Sequence, residues 1–313
     1  MNNAVASPAV TRARRTILAV PGSSDRFIAK SRTQPVDAVF LDLEDAVAPP
    51  VKQESRQRIV EALNHPDGWQ APTVTYRVND WSTPWTTMDV LEVVGGAGAR
   101  VDCIVLPKVT DASQVKALDL VLTQAEQAAG LPVGRIGLEL QIEEARGLLH
   151  VAEIAAASPR TESLVYGPGD FMASMGMATL NVGSQPPGYV GDAFHHVQMS
   201  ILVAARAHGL QAIDGPFVGI RDLDGFRTSA SSSAALGYDG KWVLHPSQVE
   251  AGNQIYTPPE ENIERARRIV EAYRHATAEA GGAVGAIVVD DEMVDGAGLA
   301  VARSTLAKIG ERV

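Results

Sequence analysis

Three carboxylates, Asp42, Glu44 and Asp45, directly follow the apolar run Val39, Phe40 and Leu41. A β-branched and aromatic run of this kind reads as a buried strand, and acidic side chains are almost never buried without a partner. The pattern recurs at Glu143, which follows IGLELQI, and at Asp170, which follows SLVYGPG. Two carboxylates without His or Cys beside them suit a hard divalent cation, Mg2+ with Mn2+ as a substitute. Such ions take oxygen ligands and leave places for substrate and water. The alternative is structural: Glu143 as a helix first-turn residue and Asp170 as a helix cap after Gly167, Pro168 and Gly169. Spacing alone leaves both open.

Two cations stand near these acids. Arg77, in TYRVND, ends another buried run; its planar fork suits a carboxylate ligand, or a salt bridge to a neighbouring acid. Lys108 could act as a Schiff-base nucleophile, touch a phosphate or neutralise the acids. Acidic surroundings oppose the lowered pKa that the first role needs. His195 and His196 are adjacent, so on a helix they face different ways, and H-E-x-x-H, G-x-S-x-G and cysteine clusters are missing from the sequence.

Short apolar runs that could position these residues occupy 16–20, 37–43, 73–78, 103–108, 136–142, 163–167, 210–214 and 241–245. Between them, helical patterns fit 50–63, 84–94, 111–129, 144–157, 170–177 and 192–208, with one more after Asp222. Eight strands alternating with helices, and no G-x-G-x-x-G turn, predict an α/β fold of the (β/α)8 TIM-barrel type. Active sites of such barrels lie where the strands end. That rule gathers Pro21 to Ser23, Asp42, Glu44, Asp45, Arg77, Asn79, Lys108, Glu143, Asp170, Asp214 and His245 on one face.

Thr257 and Glu260 then have capping-box spacing with Pro258 at the first helical position, and Ile263, Ala266, Val270 and Tyr273 share one helical face. This reads as the last barrel helix. AGGAVG reads as a hinge leading to a small appendage. The expected organisation is a disordered tail over 1–13, a barrel over 14–280 and a lid or oligomerisation extension over 281–313.

With 313 residues, 45% hydrophobic and 20% charged, the chain can bury a large core. A net charge of -10 argues against nucleic-acid and anionic-membrane partners. The start, MNNAVASPAVTRARR, has no apolar signal segment and the single cysteine, Cys103, sits in an apolar run, so a cytoplasmic setting is expected.

The motifs RRTILAVPGSSDRFIAKS, DAVFLDLEDAVAP, YRVN, VLPKV, IEEARG, YGPGDF, AIDGPF and WVLHPSQV occur in this order over 14–249. Together they resemble the CoA-ester lyases of the citrate lyase β-subunit group, on its malyl-CoA lyase side, within the HpcH/HpaI aldolase superfamily. The resemblance implies a metal site of Glu143 and Asp170, with Glu44 and Asp45 supporting the metal waters and Arg77. It implies that Arg77, Gly169 and Asp170 contact the oxo acid and its enolate partner. Coenzyme A would be bound by Arg26, Lys30, Lys108, His245 and Pro246. The acidic C-terminal segment resembles the family's lid, whose Asp295 would exchange a proton in a neighbouring subunit of a homotrimer or homohexamer. The implied reaction splits a malyl-type 3-hydroxyacyl-CoA into glyoxylate, or another 2-oxo acid, and an acyl-CoA. Ala19 stands where relatives often carry an aromatic residue, and the lid is unusually acidic. Citramalyl-CoA or citryl-CoA cleavage, malyl-CoA thioester hydrolysis and a non-catalytic CoA-binding subunit therefore stay as alternatives.

Overall fold

In the computed structural model, which describes residues 12–279 and 285–311, all eight expected runs become parallel strands. They are β1 Thr16–Pro21, β2 Ala38–Asp42, β3 Thr73–Arg77, β4 Cys103–Leu106, β5 Gly137–Ile142, β6 Thr161–Tyr166, β7 Gln211–Asp214 and β8 Gly240–Val243. Each pairs with the next, and β8 returns to β1, closing the barrel. Inward residues Ile17, Phe40, Val105, Val165, Ile213 and Trp242 form its central core, with Ala19 packed against them.

The crossover helices Lys52–Leu63, Thr86–Ala97, Ala112–Ala128, His195–Ala207 and Leu223–Leu236 fall where periodicity predicts them. Local chemistry explains their ends. Asp111 and Asp222 accept backbone N–H bonds as N-caps, and Gly237, at φ 116°, ends Leu223–Leu236 in the left-handed region. The expected helix 144–157 breaks at His150 into Ala145–Leu149 and Val151–Ala155. His150 Nδ1 lies 3.1 Å from the Thr110 carbonyl oxygen.

Where the strands begin, a buried ionic cluster fills the barrel. Arg14 donates to Glu139 at 2.8 Å and to Glu162 at 2.7 Å. Arg12 reaches Asp102 at 3.0 Å and Glu162 at 3.1 Å. Cys103 lies buried beside Arg14, and burial pushes its thiol pKa up. Of the tail expected over 1–13, residues 1–11 lie outside the described ones, and Arg12 is tied down by these ion pairs.

One compact unit ends at Asn253 and a second begins at Gln254. The second contains the helix Glu260–Glu279, the antiparallel strands β9 Ala286–Val289 and β10 Glu292–Asp295, and the helix Gly296–Ala307. Asp290 and Asp291 join β9 to β10 with φ of 50° and 61°. Asp tolerates this left-handed region, and two such residues form the turn a tight hairpin prefers. The apolar face of Glu260–Glu279 buries Ile263, Ala266 and Ile269 with Val289, Val294, Ala302 and Leu306 of the same unit. The helix starts at Glu260 rather than Pro258, and the unit boundary precedes it instead of following it. Residues 280–284, most of the expected hinge, lie outside the described ones. No described helix is long and apolar enough to cross a membrane.

Candidate active site

Strand register sets the first part of the site. Pro21 pairs with Asp42, and Asp42 with Arg77, so the ends of β1, β2 and β3 lie at one level. Arg77 Nε and Nη2 each donate to an Asp42 oxygen at 2.7 Å, a two-pronged pair. Its Nη1 lies 3.0 Å from Glu44 Oε2 and 3.4 Å from Gln141 Oε1. The guanidinium also faces the rings of Phe40 and Trp242, at 5.7 and 5.6 Å. Burial works against both charges of the pair, yet each holds the other ionised: Asp42 stays below the usual carboxylate range and Arg77 above its own. The salt-bridge reading of Arg77 is thus realised, and most of its donors are committed to protein acceptors.

Lys108 neutralises the next acids. Its ammonium contacts Glu44, lies 3.2 Å from Asp45 and 3.8 Å from Asp170. Burial alone would lower its pKa, but these carboxylates outweigh it and hold the amine above the ordinary lysine value. A Schiff-base nucleophile requires the opposite shift. Lys108 has φ 50°, a strained value for a side chain of this size, and its backbone N–H donates to Glu143 Oε1 at 2.9 Å. One residue thereby ties the β4 end to Glu44 on one side and Glu143 on the other.

The remaining acids divide. Asp214 is buried in a pair with Lys241 at 2.6 Å, and Asn79 turns to Lys52 and Asp89, so neither faces the site as expected. Glu143 is only 1% exposed and accepts from the Lys108 backbone and the Gln141 amide, with no ion pair within 4.0 Å among the described residues. Burial pushes its pKa up to about 8, Asp170 and Glu44 add to the shift, and Arg77 opposes it. Asp170 keeps 40% of its side chain exposed.

Neither fits its structural alternative. Glu143 precedes Glu144, the cap of Ala145–Leu149, and Gly167 caps Pro168–Ser174 while Asp170 lies inside its first turn. Gly167 makes room for the acid: a Cβ there would stand 2.2 Å from Glu143 Oε2. Two oxygen donors, one buried without a cation beside it and one open, fit a hard divalent ion. No larger His, Cys, Asp or Glu cluster occurs among the described residues.

Asp42, Asp45, Arg77, Glu143, Gly169 and Asp170 line one cavity of about 470 Å³, walled on its apolar side by Phe40, Trp242 and Val182. A second cavity of about 370 Å³ is lined by Arg26, Lys30, His245 and Pro246. Both are bordered by Ala19, Val20, Pro21 and Leu244, so an acidic chamber and a basic one share an apolar wall. Arg26 and Lys30 lie exposed on the helix Asp25–Ser31. Lys108 lines neither chamber. His245 Nδ1 sits 2.8 Å from Ser247 Oγ and caps the short turn Pro246–Gln248. Asp295, in the second unit, is exposed and accepts from Ala297 N and Gly298 N at 2.9 and 3.1 Å, capping Gly296–Ala307. His195 and His196 are exposed on their helix.

Sequence reasoning missed Lys52, Gln141 and Trp242. Gln141 lies two residues before Glu143 in β5, on the same face by strand periodicity, and that spacing was a usable signal.

A family profile described as HpcH/HpaI aldolase/citrate lyase matches residues 15–246. An L-malyl-CoA/beta-methylmalyl-CoA lyase of Rhodobacter capsulatus is 41% identical over 285 residues, covering 88% of this chain and 89% of that one. Citrate lyase subunit beta of Escherichia coli (strain K12) is 33% identical over 303 residues, covering 96% of both. Among solved structures, protein CitE from Mycobacterium tuberculosis in complex with magnesium, acetoacetate and coenzyme A aligns with a TM-score of 0.70 at 29% identity. That alignment covers 95% of this chain and 98% of the other.

Proposed function

The chain belongs to the HpcH/HpaI aldolase/citrate lyase family, and from that premise we propose a divalent-metal-dependent CoA-ester lyase that cleaves malyl-type 3-hydroxyacyl-CoA thioesters. The observation that carries this reading is the pair Glu143 and Asp170, one buried without an ion pair among the described residues and one half exposed with Lys108 at 3.8 Å, both lining a chamber that adjoins a basic one. Magnesium in the Mycobacterium tuberculosis relative, and the lyase names of the Rhodobacter and Escherichia relatives, support the same choice.

Held by Glu143 and Asp170, Mg2+ would supply Lewis-acid polarisation of the oxo-acid oxygens. The chain's own groups do the rest. A base takes the β-hydroxyl proton, the Cα–Cβ bond breaks, and glyoxylate leaves an acyl-CoA enolate whose carbon then accepts a proton. Arg77, locked by Asp42 and facing the paired rings of Phe40 and Trp242, presents positive charge to the carboxylate and the developing enolate without reorganising. The Gly169 backbone lines the same chamber. Arg26 and Lys30 take the CoA phosphates, with the thioester arm along Val20 and Leu244. For the proton exchanged with the thioester carbon we assign Asp295 of a neighbouring copy in a trimer or hexamer. Asp295→Asn should then bind acyl-CoA almost normally and turn over at least tenfold more slowly; a wild-type rate removes it from the chemistry.

Assay of the purified chain with glyoxylate and acetyl-CoA or propionyl-CoA tests the whole reading. Excess EDTA should abolish carbon–carbon bond formation, and Mg2+ or Mn2+ should restore it. Turnover that persists in EDTA sinks the metal mechanism. Free thiol and malate appearing from malyl-CoA without glyoxylate would make the chain a thioesterase instead.

A further inference from the structure

Glu44 is gripped from two sides. Its carboxylate meets Arg77 and Lys108, while its backbone carbonyl accepts from a buried lysine. That lysine is Lys52, in the first turn of Lys52–Leu63. Its ammonium donates to Leu43 O at 2.8 Å, Glu44 O at 3.0 Å and Asn79 Oδ1 at 2.6 Å. It also lies 5.0 Å from the Trp85 ring centroid.

We propose that Lys52 is a positioning residue for the site: it fixes the Leu43–Glu44 backbone so that one carboxylate can hold Arg77 and Lys108 together. This rests on the lyase reading above. The loop's other polar groups are already used. Leu43 N donates to Arg77 O at 3.0 Å, and Glu44 N and Ala46 N donate to Asp42 at 2.9 and 3.0 Å. The Leu43 carbonyl takes its donor from Lys52, the Glu44 carbonyl takes Lys52 beside Val47 N at 3.0 Å, and an ammonium offers three donors on one atom. Asn79 is itself held by Asp89 through bonds of 2.9 and 2.6 Å, and Asp89 receives Arg56 Nε at 2.7 Å. Lys52 and Arg56, one helical turn apart, thus brace the loop from behind through the helix Thr86–Ala97. A lysine used only for solubility would reach water; this one is buried, and burial lowers its pKa against the pull of Asp42 and Glu44.

The test compares Lys52→Met with wild type in two readouts. Loss of an outer support for active-site groups typically costs about 10–100-fold, so kcat should fall by that factor with the acyl-CoA KM changed less than about threefold. Amide hydrogen exchange over 43–47 should accelerate more than elsewhere in the barrel. If Lys52→Met does not fold, Lys52→Gln, which keeps an N–H donor and loses the charge, carries the same comparison. Wild-type kcat in a folded variant overturns the proposal, as does a fall in kcat with exchange over 43–47 unchanged. An inactive wild-type chain would count against the lyase reading, and the exchange readout would still decide whether Lys52 holds the loop.

Discussion

Glu143→Gln yields a folded protein that is no less stable than wild type and about a thousandfold or more slower. The two effects have one origin. Glu143 is buried with no ion pair of its own, and its pKa is pushed up to about 8, so the folded state penalises its charge. A group with a raised carboxyl pKa costs stability as pH climbs from the ordinary glutamate value toward 8, and costs nothing below that range. Glutamine keeps the shape and the bond from Lys108 N, removes the charge, and requires the Gln141 amide to turn its oxygen toward the new NH2. In metal-free protein the variant's advantage should therefore grow between pH 5 and 8, by about 3 kcal/mol for a shift of this size. Denaturant titrations in EDTA at the two ends of that range measure it. Activity moves the other way, because a metal without its buried carboxylate loses both affinity and position. A Glu143→Gln variant that is active, or destabilised at pH 8, would return Glu143 to an ordinary structural role. Asp170→Ala should match the loss of turnover with little change in stability, since its side chain is half exposed and caps no helix.

The second large effect falls on Arg77. Arg77→Met leaves Asp42 buried beneath it with two oxygens and no cation, and removing one partner of a buried pair costs about 3–5 kcal/mol. For a chain of this size that lowers Tm by about 5–8 °C. Turnover should be lost as well. The double variant Asp42→Asn with Arg77→Met separates the two roles, because a neutral pair no longer carries an orphaned charge. Most of the lost stability should return in the double variant, whereas activity should not. Recovery of both would mean that Arg77 only holds the fold.

The strands were legible because a closed parallel barrel buries both faces of each strand, so each reads as a continuous apolar run such as VFLDL or CIVLP. The acids at their ends were legible as a set, and their partners were not. Which acid takes Arg77 depends on the β2–β3 register, Asp42 opposite Arg77, and no pattern along the chain states a register. Asp170 was ambiguous for a local reason: the cap and ligand readings differ by where the helix begins, and it begins at Pro168, after Gly167. Lys52 escaped because it follows Pro49 and Pro50, where a lysine looks like an ordinary solvated helix start. In the Glu260–Glu279 helix the apolar face was legible from its period, while its partners Val289, Val294, Ala302 and Leu306 lie on later elements that periodicity does not name.

Arg14 and Glu139, packed where the strands begin, leave the described residues around Glu143 open toward the strand ends that carry Asp170. The small acid and the thioester of the proposed reaction would then share the approach from the strand ends. A thioester lying along Val20 and Leu244, which border both chambers, would cover part of the chamber that holds Glu143. On the proposed lyase reading, the condensing direction would then be sequential: the oxo acid goes in first, the thioester follows, and a thioester that arrives early bars the way.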